Sequence, residues 1–283
     1  MNSKISEFFT FNTQNNNQDW REVVENQQCS FLNKKCIKNR KSEAEIAIGT
    51  CTVNYGRDEK NIIICPHRLL EKRKIFLDCI HLLTMHEPGN ELHIVSEIGI
   101  PGGNIDYFLV SVRENKVKDF VAIELQTLDT TGTVWPERQR FLASKNILVN
   151  QKDYDSNKTF GMNWKMTAKT ILVQLHHKIL TLESVNKHLV LVVQDCLLDY
   201  MKKEFSFAHI SANAKIGDSM HFHSYSLSND EDKNLSISLF ERFSTDSDGI
   251  AKCLGLQALA NVELEVIVKK LEQKISKKTL LSL

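Results

Sequence analysis

An α/β fold is what this 283-residue sequence predicts, and three stretches predict it. In "HRLLEKRKIFLDCIHLLTMH", His67 to His86, the apolar residues Leu69, Leu70, Ile75, Phe76, Cys79, Ile80 and Leu83 mostly keep helical spacing, and Pro88-Gly89 ends the helix. "ELHIVSEIG" reads as a strand. After the break at Pro101-Gly102-Gly103, "GNIDYFLVSVRENKVKDFVAIELQ", Gly103 to Gln126, reads as two more strands joined by a short charged turn. "MNWKMTAKTILVQLHHKILTL" then predicts a second helix, and "HLVLVVQD" a buried strand with apolar residues on both faces.

The order is therefore helix, three strands, helix, strand, over residues 67–200. Residues 1–66 are polar, broken and cysteine-bearing, which sets them apart as an N-terminal region. Thr127 to Gly161 is loop-rich. Residues 201–283 form a C-terminal extension in which "LGLQALANVELEVIVKKLEQKI" predicts one more helix.

Composition excludes several classes. With 42% apolar and 25% charged residues, and no apolar run near the ~20 that a membrane span needs, the chain reads as a soluble globular protein. The first twenty residues lack the basic start and apolar stretch of a secretory signal, so a cytoplasmic, reducing location is expected. Seven cysteines in that setting are buried thiols or metal ligands rather than a disulfide framework. A net charge of +1 carries no global argument for a polyanionic partner. Residues 31–75, however, hold eleven Lys or Arg against five Asp or Glu, a local charge of +6. Such a cluster is either a footprint for nucleic acid or a solvated face.

Two carboxylates stand out because they lie on strands that should avoid them. If the hairpin is centred on Asn115, opposed residue numbers sum to 230, and Asp106 faces Glu124 across the ladder with Cβ atoms ~5 Å apart. Gln126 shares their face. Carboxylates so close repel one another unless something neutralises them. A divalent cation such as Mg²⁺, which takes one or two protein carboxylates and completes its shell with water and phosphate, would do so. The alternative is that Asp106 caps the start of its strand and Glu124 pairs with a surface Arg or Lys.

Four further residues suggest a second metal. Cys29, Cys36, Cys51 and Cys65 are separated by six, fourteen and thirteen residues, in a segment with too few apolar residues for its own core. Four thiolates around zinc or iron would staple it; four unrelated reduced cysteines is the other reading. Cys79, Cys196 and Cys253 lie on apolar stretches and are expected to be small core residues.

At Asp106 and Glu124-Leu125-Gln126 the sequence resembles the PD-(D/E)xK nuclease superfamily, with Ile105 where a Pro is usual and Gln126 in place of Lys. An amide cannot act as a base, so Gln126 would orient water or a phosphate oxygen. Taken with the four cysteines, "CPHRLL", "GNIDYFLV", "AIELQTLDTTG" and "GMNWKMTAKTILVQL", residues 25–200 resemble the NotI-type restriction endonucleases. That resemblance implies a PD-(D/E)xK nuclease-like core, a central mixed sheet flanked by helices, with an N-terminal four-cysteine metal-binding module. It implies a sequence-specific, Mg²⁺-dependent, homodimeric enzyme cutting double-stranded DNA. Asp106 and Glu124 would hold Mg²⁺, Gln126 would assist, and the cysteines would hold zinc or iron. A cognate DNA methyltransferase would accompany it in the same system without a stable complex. Other readings are a repair or recombination nuclease of the same fold and a non-catalytic metal-stabilised DNA-binding protein.

Lesser candidates complete the set. Glu97, on the strand before Asp106, is expected to join the catalytic shell. Glu71 is expected on a solvated helix face. His176 and His177, adjacent on a helix, are a poor metal pair. Arg138 and Arg140, just after the second carboxylate strand, are expected to contact phosphates or bases.

Overall fold

The computed structural model describes residues 3–15, 17–210, 213–230, 234–256, 268–269 and 272–273. Its N-terminal part pairs β1 (Ile5–Phe8), β2 (Phe11–Asn12), β7 (Thr50–Tyr55) and β8 (Lys60–Ile63) as an antiparallel sheet in the order β2-β1-β7-β8. Between β2 and β7 come helix α1 (Trp20–Asn26) and two small ribbons, β3 (Gln28–Cys29) with β4 (Lys34–Lys35) and β5 (Asn39–Arg40) with β6 (Glu43–Ala47). Asp19 caps α1 by accepting from the backbone N–H groups of Arg21 and Glu22, which satisfies donors that a helix start otherwise leaves unpaired.

The central sheet has six strands. Along the chain run α2 (Lys74–Leu77), β9 (Glu91–Ile100), β10 (Gly103–Arg113), β11 (Lys116–Gln126), β12 (Thr130–Gly132), α3 (Trp135–Ser144), α4 (Gln151–Tyr154), β13 (Phe160–Met162), α5 (Trp164–Ser184), β14 (His188–Gln194), α6 (Asp195–Glu204), β15 (Met220–Asn229), β16 (Leu235–Thr245) and α7 (Ser247–Cys253). The sheet order is β16-β15-β14-β11-β10-β9. β11, β14 and β15 are parallel and the remaining pairs antiparallel, so the sheet is mixed. On one face Phe108, Ala122, Leu191 and Phe222 pack with Ile171, Leu175 and Ile179 of α5. On the other Leu109, Ile123, Val190 and Val192 meet Leu69, Ile75, Phe76 and Leu82. β14, covered on both faces, is the buried apolar strand that its sequence predicts.

The structure differs from the sequence reading in three places. The predicted helix from residue 67 is instead a 3₁₀ turn at Pro66–Arg73, the four-residue α2 and a second 3₁₀ turn at Ile80–Leu82. Glu71 leaves helical geometry, and Lys72 and Arg73 are left-handed. The cause is a buried ion cluster that pulls both Arg68 and Glu71 inward. Arg68 Nε stands 2.8 Å from Glu7 of β1, an ion-pair contact rather than an aligned hydrogen bond. Arg68 Nη1 donates to Glu71 at 2.6 Å and Nη2 to the Leu235 carbonyl at 2.6 Å, while Glu71 accepts from Lys74, Ser236 and the Ile237 N–H. Glu71 is thus buried and far from a solvated face. Burial works against its ionisation, but the bonds from Lys74, Arg68 and Ile237 hold its carboxyl down at about 2.

The second difference lies beyond residue 200. β15 and β16 hydrogen-bond onto β14 and form one side of the central sheet, so that sheet does not stop at a boundary there. The helix predicted over "LGLQALANVELEVIVKKLEQKI" lies outside the described residues apart from a few positions. Third, the loop-rich stretch 127–161 carries α3, α4 and two short strands. Among the described residues no helix is long and apolar enough to cross a membrane.

Arg68 joins β1, the 3₁₀ turn and β16, and a second tie reinforces it. Gln194, at the end of β14, accepts from the Ile63 N–H and donates to the Asn61 carbonyl, each at 2.8 Å, which fastens β8 to the central sheet. Replacing Arg68 by Ala strands two buried carboxylates. Arg68→Ala should lower the unfolding free energy by about 3–5 kcal/mol in a urea titration; a loss below about 1 kcal/mol would show that the cluster is not what joins the two sheets.

Candidate functional site

The hairpin β10–β11 turns through Glu114-Asn115, both at positive φ, with Arg113 paired to Lys116. A two-residue turn alone would give a register sum of 229. An irregularity between Ser111 and Val112 adds one, so that Ser111 faces Asp119 and Tyr107 faces Ile123. The paired ladder ends at Tyr107 and Ile123; continued one residue at the same offset it would set Asp106 against Glu124, and the Leu125 N–H reaches the Asp106 carboxylate. The neighbouring strand β9 continues the row. Ile98 pairs with Ile105 and Ser96 with Tyr107, which puts Glu97 in the slot beside Asp106. Glu97 has φ of 58° inside a strand, a strained backbone of the kind that clusters at functional positions. Glu97, Asp106 and Glu124 thus fall in a row along three neighbouring strands, with Gln126 two residues on, although among the described residues no three such side chains stand as a set that could hold a metal ion.

Each central carboxylate is held by the other's strand. The Leu125 N–H donates to Asp106 Oδ2 at 2.8 Å, and the Asp106 N–H donates toward the Glu124 carboxylate. Asp106 is half-buried, Glu97 exposed and Glu124 only 4% exposed. The Gln126 amide donates to the Thr127 carbonyl at 2.6 Å. Both halves of the non-metal alternative therefore have a counterpart here, since Asp106 bonds backbone and Glu124 pairs with a lysine. That lysine, however, is not on the surface.

It is Lys178 of α5, 7% exposed, whose Nζ lies 2.8 Å from Glu124 Oε1. Sequence reasoning missed it. The available signal was its position in the helix, because Ile171, Leu175, Lys178 and Leu182 share the inward stripe and a lysine there must find a partner. Burial, the largest influence, pushes the Glu124 carboxyl up to about 7 despite the Lys178 bond, and the charge of Asp106 adds to the shift.

The cysteines gather separately. Cys29, Cys36, Cys51 and Cys65 all line one small enclosed cavity together with Lys38 and His67. Burial raises the thiol pKa values of Cys29, Cys51 and Cys65. Backbone N–H groups oppose this by pointing at the sulfurs: those of Phe31 and Leu32 at Cys29, Thr10 at Cys51 and His67 at Cys65. Among the described residues, no three His, Cys, Asp or Glu side chains already stand as a closed set of cation ligands. The four cysteines expected to hold zinc or iron share a cavity without standing as such a set. Burial and the charges of Lys38 and Lys34 lower the pKa of the His67 imidazole, while Asp106 and Glu97 pull the other way.

Other candidates resolve differently. Arg138 is not a DNA contact: it is 3% exposed, lies over the rings of Trp135 and Phe8, and donates to the Ala47 and Ile48 carbonyls. Arg140 bonds Glu137 and the carbonyls of Tyr154 and Ser156. Cys79 and Cys253 are buried and Cys196 half-buried. In the basic segment Arg68, Lys74 and Arg40 are committed to internal ion pairs, while Lys34, Lys35, Lys41, Arg57, Lys60, Lys72 and Arg73 are exposed. A cleft of about 790 Å³ is lined by Lys4, Asn12, Asn54, Arg57 and Lys145 among others, and by none of the carboxylate-row residues.

A mixed α/β sheet that brings carboxylates, an amide and an ammonium to one spot carries groups suited to hydrolysing a phosphate ester. The model of the family Restriction endonuclease NotI matches residues 18–224. The chain belongs to that family, and it is a type II site-specific deoxyribonuclease that hydrolyses phosphodiester bonds of DNA. A search of curated proteins finds no match.

Gly102 sets the distance between the hairpin and α5. Its φ is 97°, and a Cβ there would stand 2.6 Å from the His177 carbonyl oxygen. Gly102→Ala should destabilise the fold by about 1–3 kcal/mol and slow DNA cleavage by displacing Lys178. Unchanged melting and unchanged cleavage would disprove the close approach.

Proposed function

We propose that cleavage takes place at the row of Glu97, Asp106 and Glu124, with Gln126 beside it, inside a PD-(D/E)xK-like core, and that Asp106 and Glu124 hold Mg²⁺. The observation that supports this is the register itself. Carboxylates from three neighbouring strands gather at the end of the hairpin away from its turn, with Glu124 buried beside Asp106. The donors fit the cation, since they are all oxygens and restriction endonucleases generally use Mg²⁺. When bound, such an ion lowers the pKa of a coordinated water and stabilises charge on the phosphate. The chain's own residues position the rest. The Leu125 N–H fixes the Asp106 carboxylate, and Gln126 is placed to orient water or a phosphate oxygen through its amide.

The four-cysteine cavity is proposed as a structural zinc or iron site. Soft thiols gathered around one cavity, with backbone N–H groups directed at three of them, suit either metal. Exposed Lys34, Lys35, Lys41, Arg57, Lys60, Lys72 and Arg73 are proposed to contact DNA phosphates. A homodimer matches a palindromic site, and the edge strand β9, exposed on both faces with Leu92, Ile94, Val95 and Ile98, offers a self-associating surface. The enzyme is expected in the cytoplasm, with a cognate methyltransferase protecting the same sites.

Incubated with Mg²⁺ on a long unmethylated duplex, the protein should yield discrete fragments, and EDTA should abolish them. Asp106→Ala and Glu124→Ala should each cut at least about 100-fold more slowly. Full activity in either variant would move the cleavage centre elsewhere. For the cysteines, elemental analysis of purified protein should find one zinc or iron per chain, and Cys51→Ser should lose it together with thermal stability. Protein free of both metals yet equally stable would reduce the cavity to four packed thiols.

A further inference from the structure

We propose that Lys178 is the active-site ammonium of this enzyme, delivered from helix α5 onto Glu124 to supply the positive charge that Gln126 cannot. The inference rests on the reading of the carboxylate row as the cleavage centre.

The geometry carries it. Lys178 Nζ lies 2.8 Å from Glu124 Oε1, and both side chains are nearly out of water. A lysine loses much rotamer freedom and solvation on burial, so a place in the inward stripe of an otherwise apolar helix needs a reason. A plain structural ion pair is a weak reason, because apolar residues of similar volume usually stabilise at least as well. The backbone before β10 also comes close to this turn of α5. A Cβ on Gly103 would stand 3.1 Å from Lys178 Cε, and one on Gly102 would strike the His177 carbonyl, so two consecutive glycines make room for this turn of α5. Lys178 then sits over the strand that carries both Glu124 and Gln126. A cation there, shielded from water, can stabilise the extra negative charge that develops on a phosphate under attack. At position 126 an amide offers hydrogen bonds but no charge. The two residues divide between them what one lysine on the strand would do alone.

Moving the charge tests the idea. On a plasmid that the wild-type protein cuts into discrete fragments, Lys178→Met and Lys178→Gln should each slow single-turnover cleavage about 100-fold, while DNA binding measured with Ca²⁺ in place of Mg²⁺ stays within about threefold. The Gln variant keeps a hydrogen-bonding group for Glu124 and serves if Met disturbs folding. Adding Gln126→Lys to Lys178→Met should recover at least about tenfold of the loss, since the charge returns to the same site from the other side. Cleavage within threefold of wild type in both single variants would overturn the proposal. So would a loss that Gln126→Lys leaves unrelieved, which would make Lys178 a structural partner only. Glu124→Ala is run alongside. If that variant still cuts, the carboxylate row itself is misassigned; if it is dead while the Lys178 variants cut, only the role of Lys178 falls.

Discussion

Burying the Glu124 carboxylate is the constraint around which the centre of this protein is arranged. A charge 4% exposed in the middle of a sheet must be answered from nearby, and burial already pushes that carboxyl up to about 7. The answer comes from two directions, the Asp106 N–H from β10 and Lys178 from α5, while the charge of the Asp106 carboxylate works against it. Because side chains alternate along a strand, a slip of one residue would send Asp106 or Glu124 to the opposite face. The turn, the bulge, the paired glycines before β10 and the helix that they admit therefore depend on one another.

A second buried charge joins the N-terminal region to this centre. Arg68, without measurable exposure, is shared between Glu7 and Glu71, and the chain bends out of helical geometry to make that possible. Glu7 has the poorer share: burial, its leading influence, raises its carboxyl to about 7, against the attraction of Arg68. The same turn begins at Cys65 and His67. The cysteine cavity and the ion cluster are thus linked by a few residues of backbone.

Much of this was legible in the sequence, for identifiable reasons. The strands of the hairpin, helix α5 and strand β14 have strong periodicity or unbroken apolar runs. The offset expected from centring on Asn115 holds from Ser111 to Tyr107, although by a different route, because a two-residue turn and a bulge add to the same sum. The helix expected from residue 67 did not form because its pattern ignored where Arg68 and Glu71 must go, and their partners on β1 and β16 are distant in sequence. β15 and β16 were hard to read because His221, His223 and Ser224 occupy buried positions where apolar residues signal a strand. Arg138 looked like a surface cation, yet it lies between aromatic rings. Lys178 was overlooked for the converse reason: a single charge in a helical stripe reads as an exception until its partner is known.

The measurement that bears most directly on the central claim is anomalous diffraction from crystals soaked in Mn²⁺, with Glu124→Ala as the comparison. The account predicts a manganese peak within bonding distance of the Asp106 and Glu124 carboxylates, absent from the variant. A manganese peak held by other residues, with none at the Asp106 and Glu124 carboxylates, would contradict it.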